Sequence, residues 1–434
     1  MTGTHRVTVF ADQHWDGVQS TLSGPVAVTV EDGKITAVDS GRYHSDGDAP
    51  GEVVQLGPRT LLPGLIDCHV HVVDEEYDTE TIALQTLQAL PALRALLEAG
   101  FTTVRDLGCV GDTINVALRT AVEQGTIEGP RLIVAPSILS APGGHADKMP
   151  KLTQRYGVAV GVLAATADQL RNRVREQHRA GADWIKFAAS GGFGSPQDTP
   201  DQVAFTLAEM TAIVEAADDL GLPCAAHAFS DKAVRRAVQA GVRSIEHACL
   251  VDAETLTYVA DHDVYLVPTL YPQRYHLDNL DDDEFWAAKA PASRAKYREY
   301  AGRLRESAQR LADSDVKLAF GTDAGMFPHA DNWREFRTMI DVGITPLRAL
   351  RAATTVAAEL LRRPDLGRIA VGATADLIAV DGDPFTDIDA LGRVEFIMQN
   401  GDVRSAPAVT LDRAVRVDRG ALGAQPSGSD RRTA

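Results

Sequence analysis

The chain has 434 residues, and its 43 Lys and Arg against 60 Asp and Glu give a formal charge of −17. Hydrophobic residues make up 44% and charged ones 24%, the balance of an ordinary soluble globular protein, and the length suits one large domain plus a small one. The acid excess argues against nucleic acid or an anionic membrane as partner, because both need clustered positive charge.

Four Cys are too few for a disulfide framework and point to a reducing compartment. The N-terminus MTGTHRVTVFADQHWDG has neither a basic n-region nor an apolar h-region. The longest apolar runs, such as YLVPTL and LIAV, are strand-sized. A cytoplasmic soluble protein is expected.

Residues 1–60 alternate short β-type runs with turns. VAVTV (Val26–Val30) and ITAV (Ile35–Val38) flank Asp32-Gly33 and predict a hairpin. A polar loop, Gly41 to Glu52, precedes VVQL.

The middle repeats one unit four times: a helix-period segment ending in Gly, then a β-type run. EAG-FTTVRD ends at Asp106, RAG-ADWIKF carries Lys186, DLG-LPCAAH ends at His227 and QAG-VRSIEH ends at His247. From Gly100, Gly181, Gly221 and Gly241 the steps to those residues are six, five, six and six. Gly closes the helix in the left-handed conformation and the strand follows at once.

Counting all such runs gives eight strands: 65–72, 102–108, 131–137, 184–190, 223–229, 244–250, 265–270 and 318–325. Eight strands alternating with helices predict an α/β fold, a (β/α)8 TIM barrel over 61–364, with chemistry at the C-terminal strand ends. A doubly wound sheet is the competing topology, but no GxGxxG follows the first strand. Residues 365–416 return to β-type runs and are expected to join residues 1–60 in one small β domain. The segment 417–434, poor in hydrophobics, is expected to be a disordered tail.

His69 and His71 lie two apart on a β-type run, so both point to one face. His227 and His247 each follow an apolar run at the same place in successive units. A lone histidine of this kind is more often a bonded core residue. Four imidazoles at one end of a barrel make a site for Zn²⁺ or a similar ion. Lys186 is mid-run in WIKF, opposite in parity to Ile185 and Phe187. Buried, it must pair with Asp323 or Asp106, lose its proton, or be carbamylated by CO₂. Asp323, in FGTDAG, is either a helix N-cap or a carboxylate that accepts a proton from water and passes it on. Gly321 and Gly325 beside it permit close backbone approach.

PGLIDCHVH, WIKFAASGG, AAHAFS, IEHACL and GTDAG, in that order, resemble the amidohydrolase superfamily of metal-dependent hydrolases. LGRIAVGATADLIAVDGDP resembles that family's composite β-sandwich, and the similarity runs from about residue 5 to about residue 405. TTVRDLG, GGHAD, KFAASGG and the DAG…PH spacing from Asp323 to His329 resemble the imidazolonepropionase-related branch. That branch includes Xaa-Pro dipeptidases and ochratoxin-hydrolysing amidases.

The resemblance implies two divalent metals, Zn²⁺ foremost. His69, His71 and Asp323 would hold the buried one, His227 and His247 the outer one, and carboxylated Lys186 would bridge them. A bridging hydroxide would attack an amide carbonyl, with Asp323 as proton shuttle. The implied substrate is a dipeptide or N-acyl amino acid, and the implied assembly a homo-oligomer. Two alternatives stand beside this. One is a hydrolase of cyclic amides, ureas, carbamates or esters, or a heterocycle deaminase; the other is a non-catalytic assembly module.

His145, on the Gly-rich loop SAPGGHAD, is a candidate substrate-side residue, as are Tyr271, Arg274 and, more weakly, Tyr275. Any of these could instead be loop packing or a solvent-exposed side chain. His329 would orient Asp323 or its loop. Asp67 and Asp106 are expected to orient strands. Cys68 alternates away from His69 toward the helices and, with Cys109, Cys224 and Cys249, reads as a small buried thiol. Asp281–Glu284 reads as a solvated helix start and not a calcium loop. Ser293–Asp315 reads as an outer helix.

Overall fold

A computed structural model describes residues 5–41, 51–73, 80–109, 113–147, 161–287 and 289–406. Most of the Gly41–Glu52 loop and all of 417–434 lie outside these residues.

The two ends of the chain meet. Strands Arg6–Ala11, Val26–Glu31, Lys34–Ser40 and Glu52–Gln55 form one sheet. Gln13–His14, Thr60–Pro63, Leu377–Val380, Val394–Gln399 and Asp402–Ser405 form another. Both sheets feed one apolar cluster that includes Val7, Val28, Ile35, Leu61, Leu377, Phe396 and Met398. The hairpin forms where the sequence placed it, with Asp32 and Gly33 both at positive φ (47° and 79°). A Cβ on Gly33 would stand 2.8 Å from the Asn400 carbonyl oxygen, so glycine lets the C-terminal segment approach the turn.

Between these ends the strands run parallel. Leu65–Val70, Phe101–Asp106 and Arg131–Val134 pair in that order. Ile138–Ser140, Ile185–Ala188, Cys224–Ala228, Ser244–His247, Tyr265–Val267 and Lys317–Leu318 pair in sequence order, with Val162–Leu163 on the other flank of Ile138–Ser140. The expected third strand is split around Pro136, which has no N–H to give. Val134 O there accepts from Asp183 N and Trp184 N at 2.9 and 3.2 Å.

The expected eighth strand is regular only over Lys317–Leu318. Beyond it, Cys68 N donates to Phe320 O and His71 N to Ala324 O, each at 2.8 Å, so the last strand's continuation lies beside the first.

Gly100, Gly181, Gly221 and Gly241 all take positive φ (87°, 99°, 74° and 95°), as the repeat required of residues that end helices. Side chains alternate across the parallel strands. Ile185, Phe187, Ile245 and Leu266 pack toward the helices; Trp184, Tyr265 and Val267 belong to an interior cluster. Cys68 departs from its expected parity. A register irregularity between Asp67 and Val70 breaks the alternation, and Cys68 joins the interior cluster with Trp184 and Val267. All four cysteines are free and buried. The outer helix spans Pro291–Ala312, with proline at its first turn, and Asp282 caps the helix Asp283–Ala287.

Candidate metal centre

His69 and His71 sit at the C-terminal end of Leu65–Val70, and Asp323 is brought to them from the last strand's continuation. Asp323 takes φ 57°, an uncommon conformation for a non-glycine residue. Its N donates to His69 O at 2.6 Å, and its Oδ1 lies 3.3 Å from both His69 Nε2 and His71 Nε2. Ligand atoms of the three lie within 4.8 Å of one another. Glycine makes the approach possible: a Cβ on Gly321 would fall 2.9 Å from His69 Cβ, and one on Gly325 2.9 Å from His71 O. The Asp323 side chain is thus engaged with two imidazoles and does not cap a helix.

His227 and His247 come from adjacent strands, one residue out of step. His227 pairs across the ladder with Glu246, and His247 with Ala228. Simple alternation would turn His247 outward. Its φ of 74° breaks the pleat, and the rings of His247 and His227 stand 4.7 Å apart. His69 and His247 are 5.0 Å apart, centroid to centroid.

Lys186 is 1% exposed, and among the described residues its Nζ has no hydrogen-bond partner. Neither pairing that the sequence left open, with Asp323 or with Asp106, is made. Burial lowers the Lys186 pKa to about 8, with Glu246 and Asp323 only partly offsetting it. Burial, then the Lys186 charge, brings His227 down to about 3, and burial with the neighbouring His227 holds His247 well below its usual value. Burial acts to raise the Asp323 pKa, but His69 and His71 outweigh it and hold the carboxyl well below its usual range. Burial acts to lower that of His71, and its bond to Asp323 reverses the sign. Neutral imidazoles at His227 and His247, with an ionised carboxylate at Asp323, are what a divalent cation needs as ligands. A neutral amine is what CO₂ needs in order to form a carbamate, and the donor set fits a metal site.

Bonds behind the ligands aim them. His69 Nδ1 meets Glu246 at 2.9 Å, His71 Nδ1 meets Gly108 O at 2.7 Å, and His247 Nδ1 meets Thr269 Oγ1 at 2.7 Å. Arg105 and Glu246, both 0% exposed, form a pair at 2.9 Å. Arg105 also donates to Cys68 O and Ser244 Oγ and lies over the Trp184 ring. Sequence reasoning passed over Arg105, Glu246 and Thr269. For the first two a signal existed, namely opposite charges at inward positions of TTVRD and SIEH. Thr269 had none, because its reach to His247 depends on φ 45°.

The remaining candidates divide. His145 stacks on His227 with centroids 4.1 Å apart, and His329 Nε2 meets His71 O at 2.8 Å. Tyr271 packs on Phe327 and Tyr275, while its N donates to Glu335. Arg274 is committed to Asp278 and Asp341 at a side chain 42% exposed. Asp67 receives Thr322 Oγ1 at 2.6 Å, and Asp106 receives Val72 N and Asn115 Nδ2, both bonds that tie segments together.

The model of the amidohydrolase family matches residues 60–407. The chain belongs to the amidohydrolase family. It is a hydrolase of C–N bonds, and enzymes of this family generally use metal ions. It is similar to an ochratoxinase from Aspergillus niger, at 28% identity over 401 residues, covering 84% of this chain and 81% of that one. To an imidazolonepropionase from Ectopseudomonas mendocina it is 26% identical over 442 residues, 90% and 94% of the two chains. The crystal structure of a Xaa-Pro dipeptidase with methionine bound in its active site superposes with a TM-score of 0.83. Its identity is 30%, over 92% of this chain and 100% of that one. These neighbours match the branches expected from the motifs, and they imply an α/β fold of the TIM-barrel type. Among the described residues, no helix is long and apolar enough to cross a membrane.

Proposed function

We propose that this enzyme is a binuclear metallohydrolase that cleaves the amide bond of a dipeptide or N-acyl amino acid. The observation that carries the reading is Lys186: a buried amine, without a hydrogen-bond partner among the described residues, close enough to His227, His247 and Asp323 to interact with each electrostatically. His69, His71 and Asp323 would hold one divalent ion, Zn²⁺ foremost, and His227 and His247 a second. Lys186, once carboxylated, would offer carbamate oxygens to both. Bound ions supply a Lewis acid for the amide carbonyl and lower the pKa of water toward neutrality.

The chain's own groups do the rest. Lys186 Nζ, its pKa lowered to about 8 by burial, attacks CO₂ as a free amine; the N–C bond forms and one proton leaves. Asp323, whose pKa is held well below the usual range, takes a proton from water on its carboxylate and hands it to the departing amine. Glu246 and Thr269 keep the imidazoles turned toward their ligand positions. Eight parallel strands closing on themselves would form the (β/α)8 barrel of 61–364 that presents these groups. Residues 1–60 and 365–416 would form the composite β-sandwich. The assembly we propose is a homo-oligomer, and the compartment the cytoplasm.

The ochratoxinase and the Xaa-Pro dipeptidase among the similar proteins support an amide-type bond, and the methionine in the latter supports an amino-acid product. The test combines metal analysis with a panel of dipeptides and N-acyl amino acids assayed for free amino acid. Two metals per chain with turnover of panel members is the expected result. One metal per chain, an unmodified Lys186 and no turnover would overturn it in favour of heterocycle deamination.

A further inference from the structure

The loop that follows Ile185–Ala188 is built around one imidazole from another loop. His145 lies against bare backbone there: a Cβ on Gly192 would sit 2.3 Å from His145 Nδ1 and 2.4 Å from Cε1. His145 also stacks on His227, with planes 15° from parallel. Its Nδ1 is 3.2 Å from Ser195 Oγ, and Ser195 Oγ in turn makes a short bond to Asp198 Oδ1. Lys296, from the helix Pro291–Ala312, reaches the same loop. Its Nζ donates to Gly192 O at 2.7 Å, Ser195 O at 2.5 Å and Asp198 Oδ1 at 3.4 Å. A Cβ on Gly191 would fall 2.6 Å from Asp198 Cγ, so the neighbouring glycine makes room for the carboxylate.

Ser195, Asp198 and Lys296 are 1%, 5% and 7% exposed. A buried ion pair and hydroxyl are costly to keep and need not stabilise a fold. What this set does well is fix a proton. A carboxylate beside an ammonium only accepts, so the Ser195 hydroxyl must point its hydrogen at Asp198. Ser195 Oγ can then only accept from the ring, which requires hydrogen on His145 Nδ1 whether the imidazole is neutral or charged.

We propose that Ser195, Asp198 and Lys296 are positioning residues that set the tautomer and the orientation of His145, with Gly192 as the seat of its ring. In the neutral ring the lone pair is therefore on Nε2. The consequence for turnover rests on the proposed amide hydrolysis together with the substrate-side role that the sequence offers for His145; the tautomer does not.

Two measurements separate the claims. Nitrogen-15 long-range NMR of the histidine-labelled holoenzyme, with His145 assigned from His145→Gln, is expected to show Nδ1 protonated. In Ser195→Ala that preference is lost, and Ser195→Thr, which keeps the hydroxyl, restores it. An unchanged tautomer in Ser195→Ala, at unchanged metal content and Tm, overturns the proposal.

Kinetics on whichever dipeptide is turned over then place the effect. Ser195→Ala is expected to lower kcat/KM on the order of 10- to 100-fold, the usual cost of an outer orienting partner, with metal content intact. It should cost nothing further in a His145→Gln background, and Ser195→Thr should recover most of the loss. An equal loss in both backgrounds shows that Ser195 acts other than through His145 and overturns the proposal. If His145→Gln leaves kcat/KM unchanged while the tautomer responds as expected, the positioning stands and the placement of His145 beside substrate falls.

Discussion

Two cations are buried on parallel strands of the chain's middle, Arg105 on Phe101–Asp106 and Lys186 on Ile185–Ala188, and they are opposites. Arg105 is 0% exposed and bonded at all three nitrogens: it bonds Cys68 O, Ser244 and Glu246, and its guanidinium covers Trp184. Lys186 is 1% exposed and bonds nothing among the described residues. Both charges cost desolvation, so burial by itself says nothing of role. The unmet bond does. A charge bonded at all three of its nitrogens is part of the scaffold, whereas an amine held dry near His227, His247 and Asp323 is waiting for chemistry. The planar fork of Arg suits the first task, and the easily shifted pKa of Lys suits the second.

The same substitution at both positions tests this contrast most severely. Lys186→Met should abolish turnover, by on the order of 10³-fold or more, the range for a principal acid–base or ligand group, and metal analysis should show reduced occupancy. Yet the metal-free variant should be more stable than the parent, because methionine needs no solvation. The sign follows from the lowered pKa. Between about pH 8 and pH 10.5 the unfolded chain binds the Lys186 proton more tightly than the folded one, so the metal-free parent gains stability as pH rises through that window. Urea titrations at pH 7.5 and 10 should show this gain in the parent and lose it in Lys186→Met. A less stable metal-free Lys186→Met would mean that the amine is satisfied after all.

Arg105→Met should do the reverse, costing about 3–5 kcal/mol because Glu246 is left charged and buried without its guanidinium, with only His69 and Ser244 still bonded to it. Burial acts to raise the Glu246 pKa, but the Arg105 charge and then the bond to His69 outweigh it and bring it to about 2. A depressed carboxyl stabilises the fold above its unfolded pKa and loses that contribution as pH falls through the folded one. The parent should therefore weaken between about pH 4.5 and pH 2, and Glu246→Gln should flatten that limb of a denaturation profile. An equally steep limb in Glu246→Gln would assign acid unfolding to other carboxylates.

How much of this contrast a reader of the sequence sees depends on periodicity. The Gly-to-strand repeat places Asp106, Lys186, His227 and His247 at strand ends because helix closure and strand parity are local rules. The order of motifs supplies His69, His71 and Asp323. What escapes is whatever breaks those rules. His247 faces the cage through a left-handed φ, against the parity of its own strand, and Cys68 turns inward at a register irregularity. Arg105 and Glu246 come from strands 139 to 141 residues apart, and their mutual satisfaction is tertiary. The Ser195–Asp198–Lys296 set joins a loop to a helix about 100 residues on, which no spacing encodes.

Thr269 offers an intermediate case, a neutral partner and not a charge. Its Oγ1 holds His247 Nδ1 at 2.7 Å, so Thr269→Val should lower metal affinity about 10- to 100-fold while leaving the fold intact. Competition with a chelator measures it. A loss confined to one of two bound metals would assign His247 to that ion, and no loss would remove Thr269 from the cage.

The smallest effect is expected at a third cation, which closes the series from dry and unpaired, through dry and paired, to wet and paired. Arg274 was a candidate for the substrate carboxylate in a protein whose net charge of −17 repels one. Its guanidinium instead bonds Asp341 and Asp278, with the side chain 42% exposed. An exposed pair of this kind gives about 0.2–1 kcal/mol, reduced by salt. Arg274→Ala should therefore move stability by no more than that, and KM for an amino-acid amide should stay within about twofold of the parent, since the two aspartates already neutralise the charge a carboxylate would seek. A KM raised tenfold with kcat unchanged would show that Arg274 leaves its aspartates when substrate binds, and that solvent exposure had hidden a working group.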